Sequence, residues 1–465
     1  GSSTPDKWKY KDIQRVTNNP SLSFFKKPQK LVFGSNYVYA LKRSFSKFIR
    51  GQQPISPTFS KGGFSRAWGG AALPLSKNDL KYWPISYDEL IPHYREIWKN
   101  VPMSGINDRK YEEIYPRFGP YSGSLALPRP CSTLLKLIQN DIGLSVNNNF
   151  HISQSRLMVS SGINGCINCG ICISGCPYGH IFQGDAIIDS LVKEGMLKYH
   201  KYAFVDNLKA EKSFVKINIL DTRTRKKTLK IFDKIFIAAG AIGTSGILLR
   251  SGLVENKITL LNSDKFILPL FLKGNPGKHH KDSPSLSSLF TSIKTPGQHN
   301  SWIHGQVSSV SSFLDLKWGK ISPIMPWSLI NRTLIMLGSL PSSLSSKTLI
   351  TMQRDKTLKS TMIAKSDVNE TLIKAIVSFR SSILGKYVLI FPKFHSYLPA
   401  GGHHYGGQFP MTSNPSANQT DTLGRLKGVD NIHIIDSSVF PHIPSSTMVY
   451  TIMANAHRIV IKALK

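Results

Sequence analysis

Apolar residues recur at helical spacing in several segments of the chain. In residues 86–99 they share one helical face, and Ser86 with a glutamate three residues later forms the capping box that starts such a helix. Residues 447–465 keep the same spacing and predict an amphipathic helix. A shorter helix is expected to have Asp185 as its N-cap and to stop at Gly195.

Other segments show the patterns of β-strands. Residues 202–205, 214–220 and 228–232 are strand-like runs divided by polar turns, which predicts an antiparallel meander. Residues 234–239 are continuously apolar, as in a strand covered on both faces, and they lead into Gly240 and a helix. This strand, glycine turn and helix would present backbone amides to an anion or a phosphate.

The C-terminal quarter is easier to interpret than the segment before it. Residues 431–436 predict a short buried strand that ends in the carboxylate of Asp436. Residues 263–395 are rich in Ser, Pro and Lys with little periodicity, and we expect an inserted domain that varies with the ligand. The longest apolar stretch, residues 375–394, is interrupted by charged side chains, so a membrane span is not expected.

Composition limits the class of protein. With 465 residues, 41% of them hydrophobic and 18% charged, the chain has the material for two or three folded domains and is not a disordered tail. The net charge of +32 favours anionic partners, and an anionic glycan is one candidate substrate. No nucleic-acid-binding motif accompanies the charge, so a nucleic-acid partner is not expected.

Four of the five cysteines are clustered, at Cys166, Cys169, Cys172 and Cys176, with Cys131 apart. Their spacing matches the loop that binds an iron–sulfur cluster in bacterial ferredoxins. A four-thiolate zinc site and unligated packing cysteines are the alternatives, and the fourth cluster ligand is open between Cys176, Cys131 and none. Clustered thiols favour a reducing compartment, and we expect a cytoplasmic protein.

Two adjacent histidines, His403 and His404, lie among glycines in residues 401–407. An imidazole has a pKa near ~6.5, so it can accept a proton from an alcohol while a neighbouring acceptor takes a hydride. The buried strand that ends at Asp436 follows about thirty residues later.

These features together resemble the glucose-methanol-choline (GMC) family of flavoprotein oxidoreductases, in particular its cysteine-bearing bacterial members. The resemblance is carried by residues 66–74 running into 83–87, by residues 238–245, by residues 403–453 and by the cysteine loop. It implies an α/β fold, in which a Rossmann-like FAD-binding domain is combined with an antiparallel-sheet substrate domain. The implied division is residues 1–262 for FAD binding, including a Cys-rich loop at 160–185, residues 263–395 for the substrate, and residues 396–465 returning to the FAD domain with the catalytic histidine.

The resemblance also implies an activity and roles for particular residues. The reaction is oxidation of a CH–OH group in a small alcohol or sugar by hydride transfer to FAD, with electrons leaving through a 4Fe-4S cluster to a redox partner. The catalytic base is carried to His403, with His404 beside it and Thr447 at the position of its partner. The residues expected along FAD are Trp68, Gly69, Gly70, Ala239, Gly240, Asp436 and Ser437, and the expected metal ligands are Cys166, Cys169, Cys172 and Cys176.

The sequence departs from the family at two points. The family's strand and Gly-x-Gly-x-x-Gly turn, which hold the FAD pyrophosphate, do not precede Trp68. Thr447 replaces a histidine or asparagine and cannot serve as a comparable base. The alternative interpretation is therefore a catalytically inactive or fragmentary GMC-fold scaffold, or an electron-transfer protein, that binds no flavin.

Overall fold

The structure is a computed structural model that describes residues 32–33, 35, 37–39, 49–51, 57–141, 149–277, 283–294, 301–310, 326–399 and 404–465. The helices are α1 (Lys77–Leu80), α2 (Tyr87–Asn100), α3 (Arg109–Glu112), α4 (Arg129–Gln139), α5 (Gly184–Lys193), α6 (Gly240–Arg250), α7 (Trp327–Ile330), α8 (Val368–Ser381), α9 (Ile383–Tyr387) and α10 (Val449–Ala463). In the described residues, no helix has both the length and the apolar character needed to cross a membrane.

The strands, in chain order, are β1 (Ile49–Gly51), β2 (Phe150–Gln154), β3 (Ala203–Ala210), β4 (Val215–Asp221), β5 (Lys227–Phe232), β6 (Ile235–Ile237), β7 (Lys257–Asn262), β8 (Lys265–Leu272), β9 (Leu289–Lys294), β10 (Trp302–Ser309), β11 (Thr333–Ser339), β12 (Lys347–Met352), β13 (Leu358–Ile363), β14 (Val388–Leu389), β15 (Ser396–Leu398), β16 (Tyr405–Gly406) and β17 (Ile432–Ile434). Together with the helices they make a mixed α/β fold.

The largest sheet is antiparallel and has seven strands, in the order β14-β8-β11-β10-β9-β2, with β15 also paired to β8. One face of this sheet packs on α4 and α8 and forms an apolar core with Leu268, Ile303 and Phe379. The opposite face contacts a smaller cluster that includes Phe290 and Trp302. It is this second face that carries polar side chains, as described below.

A five-stranded sheet has the order β1-β13-β12-β7-β16, and only its β1–β13 pair is parallel. Strand β16 places the histidine loop beside β7. The sheets cross the expected domain boundaries, because β2 from the N-terminal part joins the seven-stranded sheet, and β12 and β13 from residues 263–395 join β7. Long-range strand pairing, which has no local sequence signal, produces this mixing.

Two predicted helices form as expected. In α2 the Ser86 side chain accepts a hydrogen bond from the Glu89 backbone N–H at 3.2 Å, which is the predicted cap. Helix α10 packs along α2, and the Tyr450 hydroxyl donates to the Tyr94 carbonyl at 2.6 Å. The predicted meander is confirmed as β3-β4-β5.

The expected N-cap of α5 is wrong. Gln183 occupies that position and Asp185 lies in the first turn, where its carboxylate pairs with Arg66 at 2.8 Å. The Asp185 carboxylate pairs with Arg66 and does not cap the helix. None of the helix residues is fully buried: Ile188 and Leu191 are partly covered, whereas Ile187 and Val192 are exposed.

The described residues do not show the expected Rossmann-like sheet. Strands β6 and β17 form a parallel pair, and in the described residues no further strand joins it. We expected the 234–239 strand to be covered on both faces, but only Ile237 of β6 is buried. Strand β17 is fully buried, as predicted.

Candidate active site

The described histidine of the predicted pair, His404, is held at the edge of the seven-stranded sheet. Its carbonyl accepts the Ser263 N–H at 2.9 Å. Its Nδ1 atom lies 2.9 Å from Nζ of Lys265, the first residue of β8. His403, to which the family resemblance gave the role of base, lies outside the described residues, so its role stays a prediction.

Lys265 belongs to a line of polar residues that crosses the sheet. Registration of the strands places His151 opposite Ser292, Ser292 opposite His304, His304 opposite Ser339, and Ser339 opposite Lys265. Directly opposed residues project from the same face of a sheet. We call this set of five residues the polar row, and it runs to the position of His404.

Four residues of the polar row, Ser292, His304, Ser339 and Lys265, are buried, whereas His151 is half-buried. Burial changes the ionisation of the row. Burial lowers the pKa of Lys265 to about 7, although the neighbouring Asp264 acts in the opposite direction. Burial and then the charge of Lys265 lower the pKa of His304 to about 3, so this imidazole is neutral. Neither ring nitrogen of His304 has a hydrogen-bond partner among the described residues. A buried imidazole with open nitrogens can bind a polar ligand group.

Asp264 anchors the same end of the sheet. Its carboxylate accepts hydrogen bonds from the Tyr397 hydroxyl at 2.6 Å and from the Ser346 N–H at 2.6 Å. Burial and the hydrogen bond to Asp264 raise the pKa of Tyr397, so that phenol remains protonated. The site therefore combines the Asp264 carboxylate, which already accepts hydrogen bonds, with Lys265, whose ammonium form is destabilised by burial.

Asp436 lies where β17 meets α6. Its buried carboxylate accepts from Thr244 Oγ1 at 2.6 Å and from the Ser438 N–H at 2.9 Å. Burial raises the pKa of Asp436, and hydrogen bonds, including one from the Gly240 backbone, act against the rise. The amide end of α6, expected to face an anion, thus has the Asp436 carboxylate as its partner.

Ser437 connects this carboxylate to the histidine loop. Its hydroxyl donates to the Tyr405 carbonyl at 3.0 Å, and its own carbonyl accepts the Gly407 N–H at 2.9 Å. A Cβ at Gly406 would lie 2.2 Å from the Ser437 carbonyl oxygen, so this position requires glycine. The two parts of the predicted site, the histidine loop and the end of β17, are therefore in direct contact.

Thr447 joins the predicted flavin-facing segment to the C-terminal part. Its Oγ1 accepts the Leu73 N–H at 2.7 Å. A few residues before Leu73, Trp68 donates its indole N–H to the Phe182 carbonyl at 2.7 Å, and Gly70 has a φ of 76°. Gly69 between them is exposed. The structure thus brings the 68–73 segment next to Thr447, as a shared cofactor site would need.

Ala239 and Gly240, the other predicted cofactor residues, are exposed at the start of α6. Gly240 has a φ of 72°, and a Cβ there would meet no atom within 4 Å. A cavity of about 230 Å³ adjoins this turn. Its walls include Ala239, Gly243, Gly246, Phe204 and Arg250.

The four clustered cysteines line one small pocket together with Tyr178 and His180. All are free thiols, and burial raises the pKa of the Cys166 and Cys169 thiols. However, the described part of the chain contains no group of three or more His, Cys, Asp or Glu side chains that could hold a metal ion. The predicted metal site at Cys166, Cys169, Cys172 and Cys176 is therefore not supported by the ligand geometry.

Cys131 lies elsewhere. It is buried on α4 in the core beneath the other face of the seven-stranded sheet, whereas Cys172 belongs to the cluster that contains Phe290. Cys131 is thus not in position to be the fourth ligand that the spacing left open.

Sequence reasoning missed the polar row. Lys265, Ser339 and His304 come from residues 263–395, where no periodicity marked a functional position. The one local signal is a lysine at the start of the apolar run of β8, and lysines there are ordinarily solvated. Only strand registration shows that these residues are neighbours.

Known proteins resemble this chain in sequence and in fold. A sequence model described as GMC oxidoreductase matches residues 393–456. Among solved structures, the chain is similar to the crystal structure of pyridoxine 4-oxidase from Mesorbium loti, with a TM-score of 0.55 and 12% identity over 85% of this chain and 82% of that chain. At 12% identity, this similarity shows only that the two chains share a fold. No curated protein sequence matches the chain.

Proposed function

We propose that the chain is an FAD-dependent oxidoreductase of the GMC type that acts on a CH–OH group, because residues 393–456 match the sequence model described as GMC oxidoreductase. The observation that carries the proposal is the placement of His404, which Lys265 contacts on one side and the Ser437 segment supports on the other. A proton acceptor held in this way supports the proposal.

The residues that would hold FAD fit it in part. Exposed Gly69 and the φ of Gly70 leave room for a planar ring near Trp68. The exposed turn at Ala239 and Gly240 and the adjoining cavity suit the other end of a dinucleotide. When bound, FAD supplies the hydride acceptor for the oxidation.

Residues of the chain itself would accept the substrate hydroxyl proton and hydrogen-bond the substrate. We assign His404 as the general base that accepts the substrate hydroxyl proton, because its ring is held by Lys265 and its backbone by Ser263. Thr447 accepts the Leu73 N–H and keeps its own hydroxyl proton available for a hydrogen bond to the substrate. The open nitrogens of His304 would bind a further polar group of the substrate.

The substrate proposed is a small alcohol or sugar. The structural neighbour is named for pyridoxine, which carries a primary alcohol, and we include it among the candidates. The basic charge of the chain and the polar row favour a substrate with several hydroxyl or anionic groups.

Replacing Gly69 by Val should weaken FAD binding by roughly 10-fold or more, about 1.4 kcal/mol, without unfolding the protein. A Cβ at Gly69 would contact only Leu286 at 3.7 Å, an ordinary distance, while the new branches would project into the proposed flavin site. Flavin fluorescence during titration with FAD measures the affinity.

Gly274→Val is the matched control, because a Cβ there meets no atom within 4 Å and the site is remote. Equal affinity of both variants and the parent chain would reject this flavin position. If the parent chain retains no FAD at all, the scaffold interpretation replaces the enzyme.

We propose separately that the clustered cysteines bind an iron–sulfur cluster. The ferredoxin-like spacing, the shared pocket and the Asn168 N–H directed at Cys166 Sγ at 3.4 Å support it. The ligand geometry does not, so the cluster has no part in the chemistry assigned above.

Anaerobically purified protein should contain iron and acid-labile sulfide, and the double variant Cys169→Ser, Cys172→Ser should lose both. Cys131→Ala should keep them, because Cys131 lies in another core. Absence of iron from the parent chain, or iron unaffected by the double variant, would reject the cluster.

A further inference from the structure

Two neighbouring segments of the protein surface are strongly basic. Residues 196–202 lie in the loop between α5 and β3, and residues 223–230 form the turn after β4 and the first part of β5. Together they contain seven lysine and arginine residues and no aspartate or glutamate. The seven are Lys198, Lys201, Arg223, Arg225, Lys226, Lys227 and Lys230, and all except the half-buried Lys230 are exposed. We call the two segments the basic surface.

Contacts between the two segments make the basic surface continuous. The Thr222 N–H donates a hydrogen bond to the Tyr202 carbonyl at 2.8 Å, and the Arg223 guanidinium lies over the Tyr202 ring, 4.4 Å from its centroid. On β5, Nζ of Lys230 lies 3.5 Å from Nε2 of His200. The cations of the turn therefore lie beside the loop, and their electrostatic field adds to that of the loop lysines.

The loop of the basic surface also exposes apolar side chains. Met196 is 73% exposed, and Leu197, Tyr199 and Tyr202 are exposed as well. Gly195, with a φ of 74°, follows the end of α5 and directs the chain into this loop. Single exposed apolar side chains are ordinary, but four within seven consecutive residues form a patch of the kind that marks an interaction site.

The carboxylates next to the basic surface in sequence do not cancel its charge. Glu194 accepts a hydrogen bond from the Ser190 hydroxyl at 2.6 Å. Asp221 accepts the N–H groups of Arg223 and Thr224, each at 2.8 Å, and so holds the turn in shape. With Asp233 they are three carboxylates against seven cations, so the surface stays positively charged.

We propose that the basic surface binds a membrane that contains anionic phospholipids. Charge complementarity supports this partner, because the headgroup phosphates would meet cations that outnumber the neighbouring carboxylates. The apolar side chains of the loop would enter the boundary between headgroups and acyl chains. Tyrosine is favoured at that boundary, because its ring is apolar and its hydroxyl polar. Both segments are exposed connections between elements, and a flat, fluid lipid surface can receive them without a groove.

Co-sedimentation of the full chain with lipid vesicles tests this proposal. The chain should bind vesicles made of equal parts phosphatidylcholine and phosphatidylglycerol, and it should not bind vesicles of phosphatidylcholine alone. Added salt should weaken binding, because it screens exposed charges. The double variant Lys226→Glu, Lys227→Glu should bind roughly 30-fold more weakly or worse, since each cation near an anionic surface contributes roughly five-fold.

A second variant separates the apolar contribution from the charge. Met196→Ser, Leu197→Ser should lower the affinity for the anionic vesicles by roughly 10-fold, because less apolar surface leaves water. Its affinity should depend on salt as strongly as that of the parent chain, since every cation is kept. An unchanged affinity in this variant would overturn the insertion of the loop.

The matched control is Lys136→Glu, Lys393→Glu, which makes the same change in net charge. These two exposed lysines lie on α4 and beside β14, at the seven-stranded sheet, whereas the basic surface belongs to the β3-β4-β5 meander. The control should bind like the parent chain, and unfolding midpoints close to the parent's should show that each variant keeps its fold.

Three results would overturn the proposal. The first is an equal loss of affinity in the control, which would mean that net charge and not this surface drives binding. The second is binding that does not depend on phosphatidylglycerol, or no vesicle binding at all. The third is binding to polyglutamate but not to vesicles, lost in Lys226→Glu, Lys227→Glu, which would make an acidic protein the partner. Lipid binding needs neither FAD nor substrate, so each result leaves the proposed oxidoreductase function to its own tests.

Discussion

Replacing His404 by Gln should slow reduction of bound flavin by substrate by roughly 10²- to 10⁴-fold, the usual contribution of a general base. Glutamine can keep a hydrogen bond to Lys265, but it cannot accept the hydroxyl proton. The loss should appear in the rate of flavin reduction more than in FAD affinity, because His404 contacts Lys265 and Ser263, which are not among the residues proposed to hold FAD. Anaerobic stopped-flow absorbance gives both quantities.

His403→Gln is the matched control. The family resemblance gave the base role to His403, whereas the contacts of His404 favour the second histidine. A large loss in His403→Gln with a small one in His404→Gln would reverse the assignment. Equal, small effects in both would remove the histidine loop from the chemistry.

Replacing Gly424 by Ala should destabilise the fold by roughly 2–5 kcal/mol. Gly424 has a φ of 70°, which costs an L-residue about 1–2 kcal/mol, and its Cβ would lie 2.1 Å from the Ile434 carbonyl oxygen. That oxygen belongs to buried β17, so relief requires a shift of the strand that leads to Asp436. The overpacking adds roughly 1–3 kcal/mol.

The variant Gly428→Ala separates the backbone cost of a positive φ from the cost of overpacking. Gly428 has a φ of 76°, but a Cβ there meets no atom within 4 Å, so it should lose only the backbone term. The thermal unfolding midpoint should therefore fall further for Gly424→Ala than for Gly428→Ala. Equal midpoints would show that a Cβ at Gly424 does not press against the Ile434 carbonyl of β17.

Elements that depend on local signals could be predicted from the sequence. The Ser86 cap started α2 where expected, and alternation with polar turns gave the β3-β4-β5 meander. The family resemblance is confirmed by the match at residues 393–456, where glycines and the strand ending at Asp436 leave a dense local pattern.

Features that depend on distant partners could not be predicted. The apolar run at β6 suggested cover on both faces, but a run of apolar residues records what a strand prefers and not which neighbours reach it. Asp185 had the chemistry of an N-cap, yet Arg66, more than a hundred residues earlier, took its carboxylate.

The residues of the candidate site fall into the same two groups: those that the sequence predicted and those that depend on distant strand pairing. Trp68, Thr447, Asp436 and the histidine loop were predicted, and the structure places them in connected segments, although their roles remain proposals. Lys265, Ser339 and His304 meet only because three strands pair in one register. A one-residue slip would move any of them to the other face of the sheet.

The most direct test of the account is anaerobic mixing of the FAD-loaded chain with a panel of alcohols, sugars, uronates and pyridoxine while the flavin absorbance is followed. We expect at least one compound to bleach the oxidised flavin, with the rate rising with pH through about 7 as Lys265 becomes neutral. A chain that binds FAD yet stays oxidised with every compound at every pH would contradict the proposed oxidoreductase.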